Sequence, residues 1–518
     1  MQQNYGIFMA NRVHKSLLNA RVNFIFYFLG LFFAFYSRRI FLQCLGEEFV
    51  GLTLTLSSIL GYLNLAELGI SSSISYFLYK PLQSNNRREI ADVLSLLGYL
   101  YRWIGIFIFS AALIISLFFP LIFGNKEMSM GIVYFAFASI LGSQLIGYFI
   151  NYREILLAAD QKQYLVSVYY QSAGLVKVAL QIALAYFYGN PYVWVAIEFI
   201  FGVIACIVLN WKINREYPWL RADKSRGRDL LRRYPEIMAK TRQIFIHRIK
   251  DFVLTKSDEL FVFLFVSLRM VAYYGNYVMI ASKISLLFTM VLNSVNASVG
   301  TLVAEGDPQL EDRVFWELTA LRQFVAGVVC FGLLMLMSSF ISIWVGEKYV
   351  LSEWILLLLV IYTFMNLTRS VVDIFNHAHG LYDDVWSCYV ELALNVCVTF
   401  GLGFFYGIIG ILAGKIVSVG IIIMIWKPYY LFHNGFKRSV GRYWAGTLRY
   451  YAILFISFGL AATILHYIPL PEATNFLIWL LRAIIVMAVY LAINLPLLWF
   501  FGWGVRDCTK RLVALLPR

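Results

Sequence analysis

Fourteen apolar runs, each of roughly 18 to 30 residues and so long enough to cross about 30 Å of hydrocarbon, decide what this chain can fold into. They lie near residues 20–44, 50–79, 94–123, 130–152, 164–188, 191–211, 244–268, 271–303, 314–345, 350–375, 385–406, 408–430, 444–467 and 474–503. Inside a bilayer the backbone must satisfy its own polar groups, and runs of this length do so as α-helices. The expected fold is an all-α polytopic membrane protein of about fourteen transmembrane helices. Charged residues make up 14% of the chain, against about 25% in soluble domains, which agrees. The seventh run is the poorest, because its first half carries His247, Arg248, Lys250, Asp251, Lys256 and Asp258.

Lys and Arg are concentrated in alternate connections. With the amino terminus inside, that bias places both termini in the cytoplasm of a multi-pass membrane protein. The net charge of +14 then reports topology and attraction to anionic lipid rather than nucleic-acid binding. Arg12, Lys15 and Arg21 precede a full-length apolar run without a small-residue cleavage site, so no cleavable signal peptide is expected. The six cysteines are scattered without a CxxC pair, implying neither a disulfide framework nor a zinc site, and no cofactor is expected.

The basic stretch from Lys212 to Arg242 divides the chain, and landmarks recur across it. "YLYRWIG" at Arg102 returns as "TALRQFVAG" at Arg322, an offset of 220. "LIFGN" at Gly124 and "IWVGE" at Gly346 are 222 apart, and "AYFYG" at Gly189 and "GFFYG" at Gly407 are 218 apart. This near-constant offset predicts two pseudo-symmetric six-helix lobes, 17–215 and 243–432, with two additional helices at 444–503. Parallel repeats of this kind are related by an axis along the membrane normal, with a substrate site expected between them. Within the linker, 216–242, and just beyond it, Leu230, Leu231, Tyr234, Ile237, Met238 and Ile244 share roughly one helical face, the pattern of an interfacial amphipathic helix. The outer connections are too short to house an active site, so no enzyme and no catalytic residue is expected.

Ionisable residues inside the runs are the candidate functional groups, because a charge in hydrocarbon costs about 2.5–3.5 kcal/mol on insertion scales unless it meets a cavity or a partner. In "LNLAELGISSSISYFLYKP", Glu67 shares a helical face with Asn64, Ser71 and Ser75, and with Ser57 three turns earlier. Arg102 and Arg322 lie in corresponding places in the two halves, where a snorkelling role is the simpler alternative. Lys177 and Lys283 are near mid-span, and Lys415 is about two turns into the twelfth run. Asp258 shares a face with Arg248, Asp251 and Thr255, while Arg369 and Asp373 are spaced for an i,i+4 pair. The cations Lys283, Lys177, Arg102, Arg322, Arg369 and Lys415 suit an anionic head group such as a pyrophosphate. The carboxylates Glu67, Asp258 and Asp373 are candidate ion-coupling groups: desolvation raises such a pKa and a nearby cation lowers it, so occupancy can change with conformation.

The order "RRIFLQCLGEEFVGL", "SILGYLNLAELGISSSISYFLYKPL", "LLGYLYRWIG", "ADQKQYLVSV", "KSDELFVFLFVSLRMVAYYGNYVMI", "SVGTLVAEGD", "IWVGEKYV" and "ELALNVCVTFGLGFFYGIIGILAG" resembles the polysaccharide transport family. That family lies within the multidrug/oligosaccharidyl-lipid/polysaccharide exporter superfamily, and the resemblance covers roughly residues 20 to 432. It implies a flippase for undecaprenyl-pyrophosphate-linked oligosaccharides in O-antigen or capsule synthesis, located in the bacterial cytoplasmic (inner) membrane. Membrane lipids, a polysaccharide polymerase and a chain-length regulator are the implied partners, and a monomer is expected. Glu67, Asp258 and Lys283 match the family's cavity charges best, whereas Thr301 stands where an Asn is expected.

Two other readings compete. A drug/cation antiporter of the same superfamily would want an acidic or aromatic cavity. An integral membrane polymerase would want sizeable outer loops. His377 and His379, with Asp383 and Asp384, form the one cluster resembling a metal site, but histidines two apart do not share a helical face, so no metal is expected.

Overall fold

A computed structural model describes residues 2–67, 69–124, 128–292, 296–381 and 383–515. The side chains of 2–17, 20, 66, 243, 246–256, 290–292, 296–297 and 512–515 lie outside the described set. Among them are His247, Arg248, Lys250, Asp251, Thr255 and Lys256 of the seventh run, so the face expected to surround Asp258 falls outside the described residues.

Every regular element described is helical, as the runs predict, and the chain is an all-α polytopic membrane protein. Ten of the described helices are long and apolar enough to cross a membrane. The other four runs are helical as well, each with a local departure. The run at 50–79 is broken: the helix Glu47–Leu63 passes into a 3-10 turn, Asn64–Glu67, and resumes as Ile70–Gln83. The run at 164–188 starts with a π turn, Ser167–Gln171, ahead of Ser172–Tyr188. The run at 244–268 is mostly the second half of a helix, Pro235–Phe265, that begins in the basic linker. The run at 271–303 consists of Leu268–Leu292 and Asn296–Glu305.

The chain forms two compact units, Met1–Leu260 and Phe261–Arg518. In the first, Met130–Ile150 packs along Pro191–Glu216, where Gly202 leaves room for Ser143 and Gly142 for Phe199. Small residues of this kind let helices approach in lipid, where no hydrophobic force drives them together. The linker belongs to this unit. Its short helix, Gly227–Arg233, lies on Arg87–Leu117, with Gly227 against Tyr99. Arg226 and Arg233 reach the buried Asp92 at 3.3 and 3.6 Å, and Ser95 Oγ accepts from the Asp223 amide. Tyr234 and Pro235 divide the amphipathic segment in two; Leu230 and Ile237 are buried while Met238 is exposed.

In the second unit, Pro308–Trp344 is the central helix, packed by Glu353–Thr368, Phe476–Phe501 and Val505–Leu515. Its core gathers Phe315, Trp316, Phe375, Phe432 and Tyr443. Val385–Tyr406 and Ile408–Val419 are pressed together where Gly414 meets Thr399.

Candidate functional site

The break in the second apolar run builds the site. Gly69 has φ +93°, a left-handed conformation in which glycine carries no penalty, so the helix stops at Glu67 and restarts at Ile70. A Cβ at Gly69 would lie 2.9 Å from Thr241 O and 3.0 Å from Phe245 N, so the linker-derived helix approaches at this point. Breaking the helix in mid-span frees backbone groups and turns Asn64 and Glu67 toward their neighbours. Such non-helical backbone at membrane depth persists only where protein or a cavity receives it.

Glu67 is met by three hydroxyl donors. Ser71 Oγ donates to its Oε1 at 2.8 Å and Tyr101 OH at 2.5 Å, while Tyr148 OH donates to Oε2 at 2.8 Å. Asn64 continues the network: its Oδ1 lies 3.1 Å from Tyr148 OH, and its Nδ2 donates to Gln144 Oε1 at 3.2 Å. These groups line a cavity of about 470 Å³, together with Ser75, Asn151, Glu154 and Gln163. Asn151 Oδ1 and Gln163 Oε1 are buried there without a hydrogen-bond partner. The cavity therefore offers two carboxylates and several neutral oxygens, a donor set for a proton or a hard cation. Among the described residues there is no cluster of three or more His, Cys, Asp or Glu that could hold a metal ion.

Of the polar face read from the sequence, Asn64, Ser71 and Ser75 reach this cavity, whereas Ser57 donates to Thr53 O and is exposed. Tyr101, Tyr148, Gln144 and Glu154 were not foreseen, because they come from later helices and carry no spacing signal relative to Glu67.

Among the described residues of the first unit, none of the other candidates lines this cavity. Lys177 Nζ pairs with Glu198 at 2.6 Å, and Gln181 Nε2 donates to the same carboxylate at 3.0 Å. Arg102 is exposed near Arg153 and Lys224. Lys224, from the linker, donates to Phe149 O at 2.9 Å and sits 4.4 Å from the Tyr152 ring centroid. Burial, reinforced by the positive charges of Arg153 and Arg102, depresses its pKa. Asp258 is buried. Beside it Glu259, not singled out from the sequence, accepts from Ser58 Oγ at 3.0 Å.

In the second unit Arg369 and Asp373 form the expected i,i+4 pair at 3.3 Å. Arg322 is buried and Lys283 half-buried. Lys415 is buried with its Nζ 4.6 Å from the Tyr362 ring centroid. Of the His377 cluster, Asp384 is held by Lys427 at 2.8 Å and by Trp426 Nε1 at 3.0 Å.

No family model matches the sequence, and no curated protein matches it either. Solved structures do match. The structure described as "Lipid II flippase MurJ, inward closed conformation" superposes with a TM-score of 0.65 at 15% identity, over 92% of this chain and 98% of that one. An inward-facing multidrug resistance MATE family transporter of the MOP superfamily superposes with a TM-score of 0.58 at 12% identity, over 82% and 99%. The fold is therefore the one these two membrane transporters share, as the sequence resemblance led us to expect.

Proposed function

We propose that the chain is a flippase that moves undecaprenyl-pyrophosphate-linked oligosaccharide units across the bacterial cytoplasmic membrane by alternating access, in O-antigen or capsule synthesis. The observation that carries this reading is the polar cavity around Glu67, set in a break of a membrane-spanning run on a fold shared with a lipid II flippase. Coupling follows from chemistry. An ionised Glu67 accepts from Ser71, Tyr101 and Tyr148, so a proton arriving there turns one carboxylate oxygen into a donor and forces a hydroxyl to turn away. A sodium ion would instead draw on Glu67, Glu154 and the unpartnered Asn151 and Gln163 oxygens. Either occupant biases transport only if its affinity differs between the two conformations. Lys283, Arg322 and Lys415 are the proposed contacts for the pyrophosphate, and Asp258 and Asp373 the further coupling carboxylates.

The likeness to a MATE transporter, together with the acidic, tyrosine-lined character of the Glu67 cavity, favours a second reading, a drug/cation antiporter. One assay separates them: head-group translocation of a fluorescent undecaprenyl-pyrophosphate oligosaccharide in proteoliposomes, with and without a pH or sodium gradient. The wild type is expected to move the lipid and Lys283→Ala to lose at least about tenfold in rate. Glu67→Gln is expected to lose the gradient dependence while keeping passive exchange. A wild type that leaves the lipid in place and extrudes cationic dyes would make the antiporter the better reading.

A further inference from the structure

The second unit contains a cavity that the proposed function leaves unused. It measures about 990 Å³ and lies at one end of the last two long helices, Val440–Tyr467 and Phe476–Phe501. The start of Pro308–Trp344 and the terminal helix Val505–Leu515 close it.

Its charge is one-sided. Arg313, Arg442, Arg449, Arg506 and Lys510 line it, against Asp312 and Asp507. Asp312 is already held by Arg438 at 3.0 Å and Arg442 at 2.5 Å. Among the described residues, no carboxylate lies within ion-pair distance of Arg313, Arg449, Arg506 or Lys510. Arg449 instead lies over the Trp503 ring, 4.7 Å from its centroid, which leaves guanidinium N–H groups to donate at its edge.

The rest of the wall is carbon. Ile453, Ile456, Leu497 and Phe500 continue the cavity along the transmembrane helices. A second cavity of about 620 Å³, bounded by Leu321, Phe324, Leu498 and Val505, adjoins it across the shared residues Trp499 and Phe500.

The chamber is also firmly framed. Gly504 has φ +76° and brings the terminal helix so close that a Cβ there would meet Trp316 C at 2.5 Å. Tyr450 OH donates to Trp503 O, and Arg511 Nε pairs with Glu317 at 3.0 Å.

We propose that this chamber binds a membrane lipid whose head group is an anionic phosphodiester, of the phosphatidylglycerol type. Arg449 and its basic neighbours grip the phosphate, and the acyl chains lie on the adjoining carbon walls. Basic pockets between transmembrane helices at the membrane surface are where such head groups lodge. A free phosphate would make no use of the apolar walls. A zwitterionic lipid would bring an ammonium group into an already cationic chamber.

The test uses the full-length protein in detergent, with native mass spectrometry and titration of phosphatidylglycerol, phosphatidylethanolamine, glycerol phosphate and undecaprenyl phosphate. Phosphatidylglycerol is expected to bind the wild type, and Arg449→Gln/Lys510→Gln to weaken it by about tenfold or more. Arg449→Lys, which keeps the charge but not the planar guanidinium over Trp503, should lose less than the double variant. If the double variant does not fold, Arg506→Gln, on the exposed face of the terminal helix, takes its place with the same direction expected. The proposal fails if a folded charge-removing variant binds phosphatidylglycerol as the wild type does, or if phosphatidylethanolamine binds equally. Glycerol phosphate binding as tightly as the lipid would make this a free-anion site. Undecaprenyl phosphate displacing phosphatidylglycerol at lower concentration than phosphatidylglycerol itself would make it a transport-substrate site. Either result overturns the resident-lipid reading.

Discussion

Glu67 and Lys177 are both ionisable residues near the middle of apolar runs, yet the structure surrounds them differently. Glu67 is met by neutral hydroxyls on one wall of a cavity, whereas Lys177 is met by an opposite charge, Glu198. An ion pair in lipid is chiefly a mutual neutralisation, so breaking it from one side leaves a charge where hydration is poor. Lys177→Met is therefore expected to lower stability by about 1–3 kcal/mol, and Lys177→Met/Glu198→Met to recover most of that loss. Thermal unfolding of the two variants in detergent checks it; a double variant as unstable as Lys177→Met would overturn this account. What the sequence made legible at this scale was which residues are out of place in hydrocarbon. It could not tell which had partners, because Glu198 lies 21 residues from Lys177 and Tyr148 lies 81 from Glu67. The i,i+4 pair Arg369–Asp373 was legible because its partners are neighbours on one helix.

At the scale of elements, the apolar runs located the helices well and their interruptions poorly. Run length reports hydrophobicity, and a single glycine between Leu68 and Ile70 barely changes it. Yet that glycine decides whether Glu67 stays in a continuous helix or turns into the cavity. Gly69→Ala must place a side chain in a left-handed backbone and against Thr241 O, so a loss of about 1–3 kcal/mol is expected, with weaker coupling in transport. A Gly69→Ala protein that melts and transports like the wild type would show that the break can close without consequence. The linker shows the same limit. Its apolar positions read as one amphipathic face, but no spacing signal links Asp92 to Arg226 and Arg233, which lie 134 or more residues further along the chain.

For the molecule as a whole, apolar run length sufficed for the fold class, since hydrocarbon admits so few ways of satisfying a backbone. The distribution of Lys and Arg makes a topological prediction that can be tested directly. A fluorescent protein fused after Arg518 should fold and fluoresce, and alkaline phosphatase fused at Lys348 should be active. The reverse pattern would invert the chain in the membrane. The Glu67 network also bears on how the protein is made. Its carboxylate leaves the ribosome with Ser71 close behind, but Tyr101 follows 34 residues later and Tyr148 81 residues later. At about 5–20 residues per second, the last donor is synthesised roughly 4–16 s after the glutamate it serves. During that interval the carboxylate has only Ser71 of its three donors, and a charge entering hydrocarbon in that state costs about 2.5–3.5 kcal/mol on insertion scales.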